Sequence, residues 1–249
     1  MVGVRCTMFA RGFSMIELLV AMAITSIIMV TLFSFVGQST TSYTQTQRAV
    51  NAVSQARAFI QFFDRELSTR LPGTPLIYEK RSAVGGSSSS ERIAFVRVLS
   101  PDEFTDTNPG DLGTSVYYVD FSSDGPSGES PKLFRKSLGP KQTQEDIIEA
   151  GATPALPTVD PAQDEPMIPN VLFFKATPMF RDTTSGGLKE WDTTSPQPPS
   201  VIDLSITFVD DSSAQRFRTK TEWNRLATSP RDSERQLVRT FTQNIPIAK

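Results

Sequence analysis

Between Phe13 and Val36 the chain reads FSMIELLVAMAITSIIMVTLFSFV, and Glu17 is the only charge in the run. A helix needs roughly 20 mostly apolar residues to cross the hydrocarbon core of a bilayer. The run therefore predicts a transmembrane helix over 13–36. A carboxylate inside such a helix costs about 2.5 kcal/mol or more. A segment that served only as an anchor would carry Leu or Ala there, so Glu17 predicts a specific partner for its charge. The flank at 1–12 holds Arg5 and Arg11 and no acid. By the positive-inside rule, Met1 stays cytoplasmic and the remainder is sent outward. A secretory signal peptide fits poorly, because the run ends in Gly37-Gln38-Ser39-Thr40 with no clear small-x-small cleavage site. On the residues alone, a plain signal anchor stays open.

The totals exclude most chemistry. Lys and Arg number 25 against 27 Asp and Glu, a net charge of −2. No basic face is implied and no nucleic-acid partner is expected. There is no histidine, which removes Ser-His-Asp and Cys-His nucleophiles and every His-based metal site. Cys6 is the only cysteine, so no intramolecular disulfide is possible, and it precedes the apolar run, unlike a lipoprotein cysteine. No Gly-rich phosphate loop, G-x-S-x-G or EF-hand spacing stands in the chain. The sequence predicts no catalytic residue, no cofactor and no metal. Asp210-Asp211 and the acids near Asp124 read as solvated turn residues rather than calcium ligands. Asp102 and Glu103 read the same way, and Glu145, Asp146 and Glu149 as solubilising loop acids. Trp191 and Trp223 are equally good as packing residues or partner anchors.

The helix is predicted to continue past the membrane over 37–71. No proline or glycine interrupts Gln45 to Leu71, and Val50, Val53, Ala56, Ile60, Phe63 and Leu67 form one apolar stripe at spacings of three and four. Arg48, Arg57, Asp64 and Arg65 fall on other faces. Leu71-Pro72-Gly73 is the predicted stop. Counted from Phe13, the helix approaches sixty residues, on the order of 85 Å. Gly37 and Ser39-Thr40-Thr41-Ser42 are candidate points of bending or fraying. The stripe reads as a packing face for the sheet behind it, with contact to a partner helix as the lesser reading.

From 72 to 249 the pattern changes to short strands and turn-rich loops, an antiparallel β-rich domain. Strands are predicted at Arg92–Leu99, Ser115–Phe121, Lys132–Lys136, Val171–Ala176, Val201–Val209 and Leu237–Thr242, with the second and third forming a hairpin. Val201–Val209 alternates most cleanly and places Ile202, Leu204, Ile206 and Phe208 on one buried face. Gln215–Leu226 is left between short helix and loop. Gly85–Ser90 reads as a flexible tip, Gly139–Asn170 as a proline-rich surface excursion, and Thr194–Pro199 as a stiff connector. The fold class is α+β: one long N-terminal helix, transmembrane in its first half, packed on antiparallel sheet.

Gly12-Phe13-Ser14-Met15-Ile16-Glu17, followed by Leu18-Leu19-Val20-Ala21, resembles the class III signal of type IV pilins and pseudopilins. The resemblance implies a pilin-like fold, with cleavage between Gly12 and Phe13 by a membrane-embedded prepilin peptidase and methylation of Phe13. It places Glu17 where the family keeps the glutamate that serves filament assembly. In stacked helices that carboxylate approaches the N-terminal ammonium of a neighbouring subunit and sets axial register. Ala56–Arg70, the hairpin strand Lys132-Leu133-Phe134-Arg135, and Trp191, Pro199 and the 201–209 strand are similar to the J-type minor pseudopilins of type II secretion. That resemblance implies a structural subunit of a secretion pseudopilus or its tip complex. Its partners would be other minor and major pseudopilins, the peptidase and the bacterial inner membrane. The N-terminus would be cytoplasmic and the C-terminal domain periplasmic. The 139–170 excursion and the Ser-rich tip depart from the J-type pattern. A minor type IV pilin for adhesion, DNA uptake or twitching, or a pilin-like subunit of another envelope machine, stays open. An envelope enzyme on a pilin-type anchor is disfavoured by the missing histidines.

Overall fold

A computed structural model describes residues 14–80, 90–100, 103, 110–125, 128–151, 154–183, 185–193, 195 and 197–247. Gly12, Phe13, Asp102, all of the Ser-rich tip but Ser90, and part of the 194–199 connector lie outside the described residues.

Helix α1 runs unbroken from Met15 to Ser68, 54 residues. The expected bend at the Gly37–Ser42 patch does not break it. Thr40 and Thr41 donate their hydroxyls to the carbonyls of Val36 and Gly37, both at 2.9 Å, so the polar side chains are satisfied on the helix itself. The helix stops three residues before the predicted Leu71. Arg70 instead forms a β-bridge with Arg97 and the Leu71 amide donates to the Val96 carbonyl at 3.0 Å. A neighbouring strand thus captures the backbone before Pro72 is reached. Gly73 then turns the chain at φ 82°, a conformation glycine adopts without strain.

The chain divides into two compact units, Met1–Val50 and Asn51–Lys249. In the second, the strands form two antiparallel sheets. One has the order β1-β2-β3-β4-β5, with β1 Leu76–Glu79, β2 Arg92–Val98, β3 Leu112–Gly125, β4 Gly128–Leu138 and β5 Glu165–Pro169. The other has the order β7-β6-β8-β9, with β6 Val171–Arg181, β7 Leu188–Glu190, β8 Val201–Val209 and β9 Val238–Pro246. The six expected strands are all present, and the Ser115–Lys136 hairpin pairs in register, Tyr118 opposite Phe134. β1, β5 and β7 escaped the sequence reading: they are short, and β5 holds Pro166 and Pro169, which demote a strand by pattern.

One core joins the C-terminal part of α1 to both sheets. Phe59 meets Tyr117 of the first sheet and Phe174 of the second, both edge-on, with centroids 5.9 and 6.3 Å apart. Ile202, Leu204, Ile206 and Phe208 are all buried, as their alternation predicted. The helix stripe differs from expectation. Val50 is exposed and Val53 half-buried, whereas Ala52 and Phe59 are buried with Ala56, Ile60, Phe63 and Leu67. The large Phe59 ring fixes which face turns inward, and Ala52 follows it seven residues earlier, two helical turns away. The sheets are tied at their margin by Ser90 and Glu91. The Glu91 amide donates to the Phe174 carbonyl at 2.8 Å, and the Glu91 carboxylate accepts from the Ala176 amide at 2.7 Å. The chain crosses from β5 to β6 at Asn170, φ 58°, a left-handed position that Asn tolerates. Asn170 is held there by donating to Asp211 at 2.9 Å.

The excursion at 139–170 is not merely a surface loop. It carries a helical turn α2, Pro140–Thr143, then a π turn, Gln144–Ile148, and ends in β5. Thr143 and Ile147 are buried, Thr143 bonded to Thr114 at 3.1 Å. Tyr118 donates to Asp164 at 2.7 Å. The segment therefore covers the outer side of β3 and β4, where Val116, Tyr118 and Phe134 need a lid. Within the undecided Gln215–Leu226, helix α4 forms at Lys220–Thr228, flanked by short turns α3, Asp211–Ala214, and α5, Asp232–Arg235. Its start is a capping box made by Thr219 and Glu222. Asp210 and Asp211 are not free turn acids: Asp210 caps α3 through the Ser213 amide, and Asp211 receives Asn170.

Candidate functional site

The N-terminal unit presents the predicted anchor. From Met15 to Thr44 the helix is long and apolar enough to cross a membrane, the only such helix among the described residues. Its side chains are exposed throughout Met15–Val36, with Phe33 and Phe35 near 70%. Inside lipid every backbone and hydroxyl group must find a partner on the chain. Thr25, Ser26 and Thr31 do so by donating to the carbonyls four residues back, at 2.7, 2.8 and 2.5 Å.

Glu17 sits in the first turn of α1. Its carboxylate accepts the Ser14 backbone N–H at 2.9 Å, and the Ser14 hydroxyl accepts the Glu17 N–H at 3.3 Å. These reciprocal bonds form a capping box, which satisfies two amide groups that open a helix. The sequence reading missed it, although S-M-I-E at 14–17 has the [ST]-x-x-[DE] spacing followed by an apolar run. Gly12 and Phe13 fall outside the described residues, so their geometry with Glu17 is not part of the site.

A second cluster of charge lies where the end of α1 meets the first sheet. Glu66, 6% exposed, faces Arg97 Nε at 3.3 Å and Arg135 Nη2 at 2.5 Å, and accepts the Tyr117 hydroxyl. Arg97 is itself bonded to Ser115 at 2.8 Å and forks onto Glu103 at 2.8 and 2.6 Å. Arg135 reaches Glu103 at 3.1 Å and Glu165 at 3.0 Å, and its guanidinium lies 5.3 Å from the Phe62 ring. Glu103 is therefore no solvated loop acid. The Arg97 fork, with added bonds from Ser100, holds its carboxyl well below the usual carboxylate range. Burial and the Glu66 carboxylate push the Tyr117 phenol well above its ordinary value. Burial works against the Arg135 charge, but Glu66 more than offsets it, so the guanidinium holds its proton more firmly than usual. Every carboxylate in the cluster is engaged by arginine, which makes it a lock and not a proton-transfer site.

The remaining candidates are quickly placed. Trp223 is buried 5.3 Å from Phe217 in a small core beneath α4, so it packs. Trp191 is half-buried and lines an open cleft of ≈ 1770 Å³ with Tyr78 and Pro198. Glu145, Asp146 and Glu149 are exposed. Among the described residues no group of three or more acids or cysteines is arranged to hold a metal ion.

Residues 8–33 match the prokaryotic N-terminal methylation motif. The match spans Gly12, Phe13 and Glu17 and most of the apolar run, so the chain opens with a prepilin-type N-terminus. No curated protein matches the chain. Two solved structures are similar. One is a chain of the GspK-GspI-GspJ complex from the enterotoxigenic Escherichia coli type 2 secretion system, at 13% identity over 79% of this chain and 97% of that one, TM-score 0.40. The other is the type IV-like pilin TTHA1219 from Thermus thermophilus, at 12% identity over 79% of this chain and 94% of that one, TM-score 0.43. At such scores neither likeness carries the argument; the motif does.

Proposed function

We propose that the chain is a pilin-like structural subunit, cleaved by a prepilin peptidase between Gly12 and Phe13, methylated on Phe13, and held in the inner membrane by the first half of α1. The supporting observation is the methylation motif at 8–33, which ends inside the helix that is long and apolar enough to span a bilayer. The leader stays cytoplasmic and the β-rich unit is periplasmic. Glu17 then meets the N-terminal ammonium of a neighbouring subunit and fixes the axial register of the filament. The finer reading is a minor pseudopilin of J type, assembled with other minor and major pseudopilins in a type II secretion-type pseudopilus or its tip complex. It rests on the sequence resemblance of 56–70, 132–135 and 191–209. The subunit has no catalytic role in this reading.

Intact-mass spectrometry of the native protein, purified from a host with an active prepilin peptidase, tests the first step. The expected product starts at methylated Phe13. A chain that keeps residues 1–12 overturns the proposal. Glu17→Leu should leave cleavage largely intact and weaken incorporation into filaments; normal assembly of that variant would overturn the role given to Glu17. Copurification with sibling pseudopilins, against siblings of a type IV pilus, decides the finer reading.

A further inference from the structure

We infer that the arginine-rich cap of the second sheet is a docking surface for the acidic 145–149 face of a second copy of this chain. Residues 211–239 hold seven basic and four acidic side chains in a chain of net charge −2, and six of the seven are arginine. Three of the four acids are already engaged. Asp211 receives Asn170. Glu222 accepts the amides of Arg218 and Thr219 at 2.8 and 3.2 Å. Glu234 accepts both terminal nitrogens of Arg225, at 2.8 and 2.7 Å, and the Arg231 amide at 2.8 Å. The fourth, Asp232, faces Arg235 at 3.7 Å. Arg216, Arg218 and Arg231 are exposed, and Arg231 acts on Glu234, a carboxylate that Arg225 already forks. Arg216, Arg225 and Arg231 line one recess of ≈ 390 Å³ together with Ser233 and the engaged carboxylates Glu222 and Glu234.

The opposite charge is on the same chain. Residues 139–165 hold one basic and six acidic side chains. Asp164 and Glu165 are bonded to Tyr118 and Arg135. Glu145, Asp146 and Glu149 stay exposed, met among the described residues only by Lys141 at 3.9 Å from Glu145 and by the Gln144 amide at 3.0 Å from Glu149.

The two surfaces stand at opposite ends of the β3–β4 hairpin. The acidic turn hangs from the Thr114–Leu138 end through Thr143. The cap sits at the Phe121–Glu129 end, where the Lys220 amide donates to Glu129 at 3.4 Å and its ammonium lies 4.9 Å from the Phe121 ring centroid. At the rise of an extended strand the ends are roughly 25–30 Å apart. That is several times the screening length of about 8 Å at physiological salt, so the two charges cannot neutralise each other within one copy. A second copy, placed head to tail, brings them together. Such a contact is heterologous and repeats along a row. Arginine forks match carboxylates in pairs, which favours an acidic protein surface. The aromatic side chains of the cap, Phe217 and Trp223, are buried, so no stacking platform for a nucleic-acid strand is offered. The inference does not depend on N-terminal processing.

The test uses the full chain in detergent micelles, in a Cys6→Ser background. One tagged preparation carries Asp146→Cys and a second carries Ser233→Cys; mixing under mild oxidation forms a mixed disulfide. The expected yield exceeds that of a control pair, Asp146→Cys with Thr242→Cys, and falls to the control level in about 0.5 M salt, where screening shortens to a few ångströms. Arg216→Glu with Arg231→Glu in the Ser233→Cys copy abolishes the excess. Adding Glu145→Arg and Glu149→Arg to the other copy restores it. Arg231→Glu alone, with an unchanged thermal melt, guards against misfolding and should still reduce the yield. A yield equal to the control, or no restoration by the double reversal, overturns the inference. So does binding of anionic vesicles through Arg216 and Arg231 without any mixed disulfide.

Discussion

Glu66→Ala should be among the most damaging single substitutions in the β-rich unit. Glu66 is 6% exposed, and its two oxygens meet Arg97, Arg135 and the Tyr117 hydroxyl. Truncation leaves two guanidiniums, 3% and 9% exposed at the residue level, facing each other across a gap with one acid fewer. Breaking a buried ion pair from one side costs about 3–5 kcal/mol, because the stranded charge stays buried. Glu103 and Glu165 still reach the guanidiniums, so the lower half of that range is expected. For a unit of this size each 1 kcal/mol moves the melting temperature by about 2–4 °C, so the drop is about 6–16 °C. Glu66→Gln keeps the shape and an acceptor for Tyr117 but loses the charge, and should cost about 1.5–3 kcal/mol, the range for a hydrogen bond to a charged group. Asp64→Ala, an exposed acid on the same helix, is the control and should stay within about 0.5 kcal/mol. The assays are thermal melting and urea unfolding of the full chain in detergent, both followed by near-ultraviolet circular dichroism. If Glu66→Ala and Asp64→Ala give the same midpoint, the cluster does not lock the helix to the sheet.

Phe63→Ala should cost about 3–5 kcal/mol in the same urea assay, since its ring is fully buried, with Tyr117 at 5.0 Å and Phe95 at 5.9 Å between ring centroids. Gly113→Ala should destabilise by about 1–3 kcal/mol, because the added carbon would run into Leu99 Cδ2 and meet the Leu138 carbonyl at 3.0 Å; a melt equal to the parent would refute that crowding. The bonds from Arg225 and the Arg231 amide lower the Glu234 carboxyl to about 2, below its unfolded value near 4.3. A depressed carboxyl stabilises the fold above the unfolded value and loses that contribution as pH falls through the folded one, so the urea midpoint should hold near neutrality and decline from about pH 5 towards pH 2. Glu234→Gln should flatten the part of that decline owed to this residue, and an unchanged acid limb would contradict the assignment.

What the sequence revealed followed from periodicity. The strict alternation of Ile202 to Phe208 has no helical alternative, and it folded as read. Glu66 was hidden by its company, since the stretch DREL looks like a solvated turn of helix. A signal was nonetheless present: Glu66 stands three residues after Phe63 and seven after Phe59, on the inward face. Arg97 likewise shares strand parity with the buried Ile93 and Phe95, and Arg135 is paired directly across from Tyr117. Parity would have placed both inside, had charge not argued for the surface. The lid at 139–164 was illegible for another reason. Its composition is that of a loop, and among its described residues only Thr143 and Ile147, spaced one helical turn apart, betray a buried side.

The capping box changes what must be asked of the partner for Glu17. A free carboxylate in a spanning helix costs about 2.5 kcal/mol or more. Ser14 already supplies an N–H to it at 2.9 Å, and a helix cap is worth about 1 kcal/mol. If the first half of α1 spans a bilayer as proposed, part of that cost is met within the chain. The remainder, more than about 1 kcal/mol, is what a neighbour's ammonium would relieve. A helix that met the whole cost by itself would gain nothing from a neighbour at that position, and one that met none would be hard to hold in the bilayer. On the proposed reading Ser14→Ala, which removes the hydroxyl that caps the Glu17 amide, should make incorporation depend more on the neighbour's ammonium.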